Sequence, residues 1–388
     1  MVATAVSHRV RQARTAAPAA SGMRITRVDT CVLSIPPQQR TIGDAQQKRV
    51  EAVEFVIVRL DTDSGLTGWG FNWNYTKGTR AVKVMIDDAY APALVGRDPA
   101  DRVQIGKDLL YQTHFIGRLG VARVGVSAVN LALWDLHCKH LGLPLWKVLG
   151  PVRDRVKAYN TDGGWLTMTT EELVDDMTRL IARGFDRVKM KIGMPDPRED
   201  VARVKAVRKA IGSTVGLAVD VNTCWDLKTA LRWGPVLEEC GLDWLEEPLN
   251  PFDVRGHARL AKALRVPIAV GETLYTADMF RDFLEAGAVE IVQADVTKLS
   301  GIDEWLEVAA LAKRFGVPVI PHTNVQQKVH VQLAAATRHV PTVEFCYESL
   351  ANIWKEPLTV SDGYYSLPTE PGVGCELRPD VLERYRVA

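Results

Sequence analysis

The chain lacks the short motifs that bind nucleotides, and its cysteines are few and scattered. No GxxxxGK[ST] phosphate loop occurs, and no GxGxxG segment joins a predicted strand to a helix, which argues against a nucleotide cofactor. The 6 cysteines form no CxxC pair and are typical of free thiols in a reducing compartment. No apolar run approaches the roughly 18 residues that cross a bilayer. These absences predict a cytoplasmic protein without a membrane partner.

An excess of charge of either sign is also missing. The 48 basic and 47 acidic residues nearly cancel, so no field is available to attract nucleic acid or anionic lipid. The apolar fraction of 47% and the charged fraction of 24% are typical of a globular protein. A chain of 388 residues is long enough for about two domains with a large core.

The first 22 residues differ from the rest in composition. They are rich in Ala, Ser and Arg and contain no acid. A transit peptide has this composition, and so does a disordered tail or a start codon placed too early. A tail or a misplaced start is favoured, because Met23 opens a strand-like run.

Three carboxylates recur at a regular interval, each at the carboxyl end of a short apolar run. Asp220, Glu246 and Glu272 are separated by 26 residues each time, about the length of one strand and its return helix in a βα barrel. Side chains at successive strand ends meet at one mouth of such a barrel. Three converging carboxylates need a cation between them, and oxygen ligands favour Mg²⁺ first and Mn²⁺ second. Any one of these acids alone would more simply be a surface or capping residue.

The second half of the chain alternates strand and helix patterns. From Val156 to Tyr347, short β-branched runs alternate with helical segments, which implies parallel strands joined by right-handed crossovers. Eight such strands predict a closed barrel. A doubly wound open sheet is the alternative, less favoured because its glycine fingerprint is missing from the first turn. Predicted helices of this half include 171–183, 199–211 and 227–240.

The first part of the chain has the pattern of an α+β unit. Strands are predicted at 25–33 and 52–61 and a turn at 65–70, with helices at 80–90, 101–111 and 124–141. After Tyr347 the alternation stops, and a segment rich in Pro, Gly and Tyr follows, which we expect to pack on the first domain. The predicted organisation is a tail (1–22), an α+β domain (23–150), a barrel (151–347) and a C-terminal segment (348–388).

Two lysines alternate on the second predicted barrel strand. Lys189 and Lys191 are two residues apart and so point to one face, while Met190 faces the helices. Two neighbouring ammonium groups beside a metal disfavour each other's charge, which predicts a lowered lysine pKa. A general base needs a pKa near ambient pH, so Lys191 is a candidate base that Lys189 tunes. Taken alone, the pair would equally suit an exposed strand end.

The sixth and seventh predicted strands end in Asp295 and His322. An acid beside an imidazole fixes its tautomer and keeps it protonatable. Lys191 and His322 lie on nearly opposite strands and would flank a substrate from two sides. Asn222 would donate to a substrate oxygen. Glu344, at the end of the last strand, would hydrogen-bond a substrate carboxylate if protonated, although a structural acid is an alternative.

Together these groups suit one class of reaction. A metal held by three carboxylates would bind a substrate carboxylate and stabilise the enediolate formed when the α-proton leaves. A lysine on one face and a histidine on the other would transfer protons.

This set of motifs resembles the mandelate racemase subgroup of the enolase superfamily, from about residue 24 to the end. The motifs are Lys189-x-Lys191, Asp220-x-Asn222, Glu246-Glu247-Pro248, Gly271-Glu272, Asp295 and His322. The resemblance implies an N-terminal α+β capping domain over a modified TIM barrel, (β/α)₇β, in a homo-oligomer. It also implies one Mg²⁺ per subunit on the three acids, with Lys191 and the His322–Asp295 dyad as the acid/base pair.

Within the subgroup, three stretches are similar to acid-sugar dehydratases of the talarate/galactarate type. They are residues 158–166, 246–264 and 320–336. The similarity is weaker over 41–49 and 72–80, the segments expected to cover the substrate. Ser300-Gly301 stands where the subgroup commonly has two glycines.

The favoured function is dehydration of an acid sugar. Lys191 or His322 would take the proton α to the carboxylate, and protonated His322 would assist departure of the β-hydroxyl to give a 2-keto-3-deoxy acid. A racemase or epimerase with the same bases is the alternative, and a non-catalytic binding protein, which would lack the lysine or histidine, is more remote. Polar residues favour a polyhydroxylated small-molecule carboxylate as substrate. These candidate substrate-binding residues are Asn72, Asn74, Tyr75, Lys77, Gln46 and Gln47.

Overall fold

The protein, described by a computed structural model, has an antiparallel sheet near its N-terminus and a larger, mostly parallel sheet beyond it. The structure describes residues 22–37, 43–45, 49–75, 77–346 and 353–388. Residues 1–21 of the predicted tail, and the candidates Gln46 and Gln47, lie outside this described part. Within these ranges, no helix is both long and apolar enough to cross a membrane.

The N-terminal unit packs helices on a three-stranded sheet. Its strands run antiparallel in the order β1-β2-β3. A π-helical turn, Ile86–Tyr90, joins the first two helices. The elements are β1 (Ile25–Ile35), β2 (Val53–Thr62), β3 (Thr67–Asn74), α1 (Thr79–Met85), α2 (Ala91–Leu94), α3 (Arg102–Gln112), α4 (Val121–His140) and α5 (Leu145–Leu149).

The predicted turn at 65–70 is wrong over its second half, where Gly68 and Gly70 lie inside β3. Both glycines face α4. A Cβ on Gly68 would lie 2.4 Å from the Ala132 carbonyl oxygen, and one on Gly70 would lie 2.1 Å from that of Ala128. These glycines therefore allow α4 to pack closely on the sheet and do not mark a turn.

The second unit alternates strands and helices as predicted, and these strands run parallel. Its elements are β4 (Arg155–Asn160), α6 (Thr170–Ala182), β5 (Arg187–Lys191), α7 (Pro197–Ile211), β6 (Gly216–Asp220), α8 (Leu227–Glu238), β7 (Trp244–Glu246), α9 (Val254–Ala263), β8 (Ile268–Val270), α10 (Ala277–Glu285), β9 (Ile291–Val292), α11 (Ile302–Arg314), α12 (Gln327–Ala336) and β10 (Val343–Phe345).

The parallel strands pair in the order β10-β4-β5-β6-β7-β8-β9. Beyond β9, Val292 forms a single parallel bridge with Val319. Among the described residues, no strand pairing joins the Val319 segment to β10. That side of the barrel is spanned by the Thr323 N–H, which donates to Glu344 Oε2 at 2.7 Å. The carboxyl ends of all these strands therefore face one mouth.

Local sequence explains where the barrel helices begin. Thr169 caps α6 in a capping box with Glu172, and Leu173, Met177 and Leu180 form its buried stripe. The Asp196 side chain caps α7 by accepting from the Arg198 N–H, with Pro197 in the first turn. These signals agree with the predicted helices to within a few residues.

The C-terminal segment contacts both units. It contains β11 (Val360–Ser361), β12 (Tyr364–Ser366) and α13 (Pro379–Tyr385). Strand β12 pairs antiparallel with β4 of the barrel. The Val32 N–H of β1 donates to the Ala388 carbonyl at 2.8 Å, so the last residues lie on the N-terminal sheet.

Candidate active site

The three spaced carboxylates come together at the mouth of the barrel. Asp220 ends β6, Glu246 ends β7, and Glu272 follows β8 by two residues. One oxygen from each lies within 4.8 Å of the others, and Asp220 and Glu246 are fully buried. It is the one such cluster of potential ligands that the described part of the chain contains. A buried set of oxygen donors fits a hard divalent cation.

Neighbouring groups hold the carboxylates in place. The Asn222 N–H donates to Asp220 Oδ1 at 2.8 Å. Glu246 Oε2 accepts from Trp244 Nε1 at 3.0 Å and from Gln293 Nε2 at 2.7 Å. These bonds orient the oxygens that would bind a metal.

Glycine is required immediately before Glu272. A Cβ on Gly271 would lie 2.5 Å from the carbonyl carbon of Gln293, so a larger residue would push β8 away from β9. The sharp turns after the other two acids place Asn222 and Glu247 at positive φ, 47° and 40°. Strained backbone of this kind is common where a functional site is built.

The two lysines of β5 both point into the site. Lys191 Nζ contacts Asp220 Oδ2, while Lys189 Nζ lies 2.6 Å from Glu246 Oε1 and 3.0 Å from Glu344 Oε1. The register of β5 with β6 pairs Lys191 directly with Asp220. The alternation read from the sequence therefore brings both ammonium groups to the metal acids.

The predicted lowering of the lysine pKa assumes a bound cation, and the acids alone shift the pKa of both lysines in the opposite direction. Burial lowers the pKa of Lys191, but Asp220 and the other acids outweigh burial and raise it above its usual value. Burial likewise lowers the pKa of Lys189, and Glu246 and Glu344 raise it further than burial lowers it. The prediction considered the neighbouring ammonium and left out the surrounding carboxylates.

His322 faces the lysines from the other side. Its Nδ1 lies 2.8 Å from Asp295 Oδ2, and its Nε2 lies 3.0 Å from Glu272 Oε2. Burial lowers the pKa of His322, but Glu272 and Asp295 together raise it well above its usual value. With Asp295 engaging Nδ1, Nε2 is the nitrogen that faces the cavity.

Further groups hold the Asp295 carboxylate. Oδ1 accepts from the backbone and the hydroxyl of Thr297, both at 2.7 Å, and Oδ2 accepts from Gln326 Nε2 at 2.7 Å. Burial raises the pKa of Asp295, but the hydrogen bond and charge of His322 outweigh it and lower the pKa. Gln326 is a contact that sequence reasoning missed, because only tertiary structure brings it to Asp295.

Glu344 lies between the two lysines of β5 and the segment that carries His322. Oε1 contacts Lys189 and Oε2 accepts from the Thr323 N–H, next to His322. The side chain is 3% exposed and lines the cavity. It therefore links the two sides of the site, in addition to the predicted role toward substrate.

The site opens into a cavity of about 190 Å³. Cavities elsewhere are larger, among them four of about 230, 270, 560 and 620 Å³, but none of these four is lined by the carboxylate cluster. The lining residues on which the site depends are Lys191, Asn222, Glu272, His322, Glu344, Tyr75, Trp73, Asn74 and Lys298.

The other candidate substrate residues lie in different environments. Tyr75 lines the cavity, and its hydroxyl contacts the Asn324 amide. Lys77 is exposed and lines an adjoining cavity of about 230 Å³. Asn72 belongs to β3 and does not lie in a covering loop. Its amide donates to the Thr297 carbonyl at 2.6 Å, which anchors a barrel loop to the N-terminal sheet.

Comparison with known proteins matches most of the chain. A family described as mandelate racemase / muconate lactonizing enzyme, N-terminal domain, matches residues 27–150, and one described as enolase C-terminal domain-like matches 172–381. An L-talarate/galactarate dehydratase of Salmonella typhimurium is 34% identical over 345 residues, covering 89% of this chain and 86% of the relative.

Two further matches have the same character. An arabinonate dehydratase of Saccharolobus solfataricus is 34% identical over 344 residues, covering 86% of this chain and 91% of the relative. The crystal structure of an L-talarate dehydratase from Polaromonas, complexed with Mg and L-glucarate, aligns with a TM-score of 0.85 at 34% identity. That alignment covers 95% of this chain and 98% of the other.

Proposed function

This chain belongs to the mandelate racemase and muconate lactonizing enzyme family, and from that premise we propose that it is a Mg²⁺-dependent acid-sugar dehydratase. The observation that carries the proposal is the convergence of three carboxylates between an ammonium group and an imidazole. Relatives whose names state dehydration of sugar acids support the same reaction, a hydro-lyase step. The substrate is a small-molecule carboxylate with several hydroxyl groups.

Asp220, Glu246 and Glu272 would hold one Mg²⁺, with Mn²⁺ as a substitute. When bound, the ion supplies Lewis-acid stabilisation of the charge that develops on the substrate carboxylate. Trp244 and Gln293 keep Glu246 oriented for this role through their hydrogen bonds to its second oxygen.

Lys191 and His322 would divide the proton transfers. A cation on the three acids would offset the negative charge that raises the pKa of Lys191, and the neutral amine of Lys191 would then take the proton from the α-carbon, on the side of β5. His322, held by Asp295 through Nδ1, donates a proton from Nε2 to the departing β-hydroxyl, which leaves as water. The resulting enol tautomerises to a 2-keto-3-deoxy acid. The Asp295 carboxylate at Nδ1 favours the protonated ring, which suits this role as an acid.

The function is tested by incubating purified protein and Mg²⁺ with a panel of aldonic and aldaric acids and measuring 2-keto acid with semicarbazide. Turnover of one or a few acids, abolished by EDTA and restored by Mg²⁺, is expected. Exchange of the α-proton in D₂O without keto acid would replace the dehydratase by an epimerase. If neither turnover nor proton exchange occurred with any acid, the result would favour a non-catalytic binding protein.

We further propose that the protein acts as a homo-oligomer in the reducing cytoplasm. All six cysteines are free of disulfides, which suits that compartment. Phe115 and Ile116 are 91% and 74% exposed, and such apolar side chains are common at subunit interfaces. Light scattering after size-exclusion chromatography measures the number of subunits.

A further inference from the structure

Lys298 is a cavity residue to which neither the motifs nor the relatives assign a role. It lies in the loop between β9 and α11, three residues after Asp295, and is half-buried. It lines the site cavity together with Lys191 and His322, and it also lines the adjoining cavity of about 230 Å³. The space therefore continues from the metal acids, past His322, to Lys298.

The ammonium of Lys298 lies over an aromatic ring and forms no ion pair with a carboxylate of the described residues. Over the residues that the structure describes, its Nζ makes no ion pair and no hydrogen bond, whereas Lys191 and Lys189 both contact carboxylates. Nζ lies 4.8 Å from the centroid of the Trp73 ring, a cation–π contact. The Trp73 ring in turn stacks on His322 with centroids 6.3 Å apart. A cation held over an aromatic face keeps its capacity to pair with an anion.

The loop that carries Lys298 is anchored on both sides to the N-terminal unit. The Ser127 hydroxyl donates to the Val296 carbonyl at 2.9 Å, and the Asn72 amide donates to that of Thr297 at 2.6 Å. Arg123 Nη1 donates to the Ser300 hydroxyl at 2.6 Å. Because the flanking backbone is fixed, little ordering is needed when a ligand meets the ammonium.

From these contacts we infer that Lys298 binds an acid group at the far end of the substrate and makes the enzyme selective for diacids over monoacids. The inference rests on the proposed function and deepens it by naming the substrate class. The carboxylate next to the reacting carbon belongs at the metal acids. A second carboxylate, beyond His322, would form a charge-assisted hydrogen bond with Lys298, which the hydroxymethyl end of a monoacid does not offer.

The test compares an aldarate with the aldonate that differs from it at the distal carbon, such as galactarate and galactonate, or the corresponding pair from the acid panel. Wild-type protein is expected to prefer the diacid in kcat/KM. Lys298→Met should lower kcat/KM for the diacid roughly 10- to 100-fold and for the monoacid less than about threefold. Lys298→Arg, which keeps the charge, should retain part of the preference.

Lys313→Met is the matched control, because Lys313 is an exposed lysine of α11, the helix that follows the Lys298 loop. It should leave both substrates unchanged. Three outcomes would overturn the inference and leave the proposed dehydratase activity intact. They are an equal loss of kcat/KM for diacid and monoacid in Lys298→Met, an unchanged kcat/KM for the diacid in that variant, and turnover of monoacids alone by the wild type. Absence of turnover with every acid would overturn the proposed function itself.

Discussion

The two groups proposed to move protons face each other across the metal acids, but the protein holds them in different ways. Lys191 ends β5, a strand paired along its whole length with β6, so backbone hydrogen bonds place its side chain beside Asp220. His322 lies three residues beyond a single bridge at Val319 and is held by its hydrogen bond to Asp295. The lysine side is built by the sheet and the histidine side by side chains.

The histidine side also depends on the N-terminal unit. Residues 295–302 are anchored by Asn72 from β3 and by Arg123 and Ser127 from α4. The described contacts of Lys189 and Lys191 involve barrel residues. The capping unit therefore helps to hold one half of the acid/base pair, and Trp73 and Tyr75 of this unit also line the site cavity.

The largest effect is expected from removing either proton-transfer group. Lys191→Met and His322→Asn should each lower kcat by about 10²- to 10⁴-fold, because each removes general acid–base catalysis at one face. Mg²⁺ binding, followed by calorimetry, should be largely kept. Lys209→Met, an exposed lysine of α7, is the control and should keep full activity. Full activity in either of the first two variants would show that the assigned roles are wrong.

The next largest effect concerns the stability of the folded protein and the anchoring of residues 295–302 by Arg123. Arg123 lies 2.5 Å from Glu304 with both side chains largely buried, so Arg123→Met leaves a buried carboxylate without its cation and should lower the free energy of unfolding by about 3 kcal/mol. Urea denaturation measures the change. Arg198→Met, which breaks the exposed pair with Asp196, should leave the urea midpoint unchanged. Equal midpoints for the two variants would contradict an anchoring role for Arg123.

A smaller effect concerns the pH dependence of stability, through His330 of α12. His330 Nε2 accepts from the Val296 N–H at 3.0 Å, and burial lowers the pKa of His330 to about 4. Below pH ~6.5 the unfolded chain takes up a proton that the folded protein excludes, so stability falls as pH falls toward 4. The loss due to His330 should reach roughly 2 to 3 kcal/mol at pH 4.

His330→Gln removes the titrating group and keeps an acceptor for Val296. Its stability should therefore fall less between pH 6.5 and 4 than that of the wild type, as measured by urea midpoints across the range. His140→Gln, at an exposed residue of α4, is the control. Parallel pH curves for wild type and His330→Gln would contradict the prediction.

The smallest effect concerns the influence of Lys189 on the pKa of Lys191. The charge of Lys189 lowers the pKa of Lys191, although burial and Asp220 act more strongly on it. With Mg²⁺ saturating, Lys189→Met should move the limb of the pH–rate profile that titrates Lys191 to higher pH by about one unit. An unmoved limb would mean that Lys189 does not tune Lys191. Lys205→Met, an exposed residue of α7, controls for the loss of one surface charge.

Much of the fold was predictable because its signals are local. The caps and apolar stripes of α6 and α7 lie within the helices themselves, and the predicted modified barrel with a capping domain is confirmed. The turn expected at 65–70 was not predictable, because Gly68 and Gly70 serve contacts with α4, more than fifty residues away along the chain.

The candidate site was predictable to the same extent. Asp220, Glu246 and Lys191 end their strands, and Lys189 lies two residues before Lys191 on β5, so the period of two decides which way these side chains point. The hydrogen bond of Gln326 to Asp295 and the cation–π contact of Lys298 with Trp73 join residues that are far apart along the chain. No local sequence pattern predicts such contacts.

Periodicity along the chain is enough to predict the alternation of strands and helices and which side chains of a strand share a face. The charge around those side chains depends on the fold. The pKa of Lys191 is raised because acids from several strands surround it, and His322 is held by Asp295, whose loop is anchored to the N-terminal unit. Coulomb interactions depend on distance through space, which spacing along the chain does not specify.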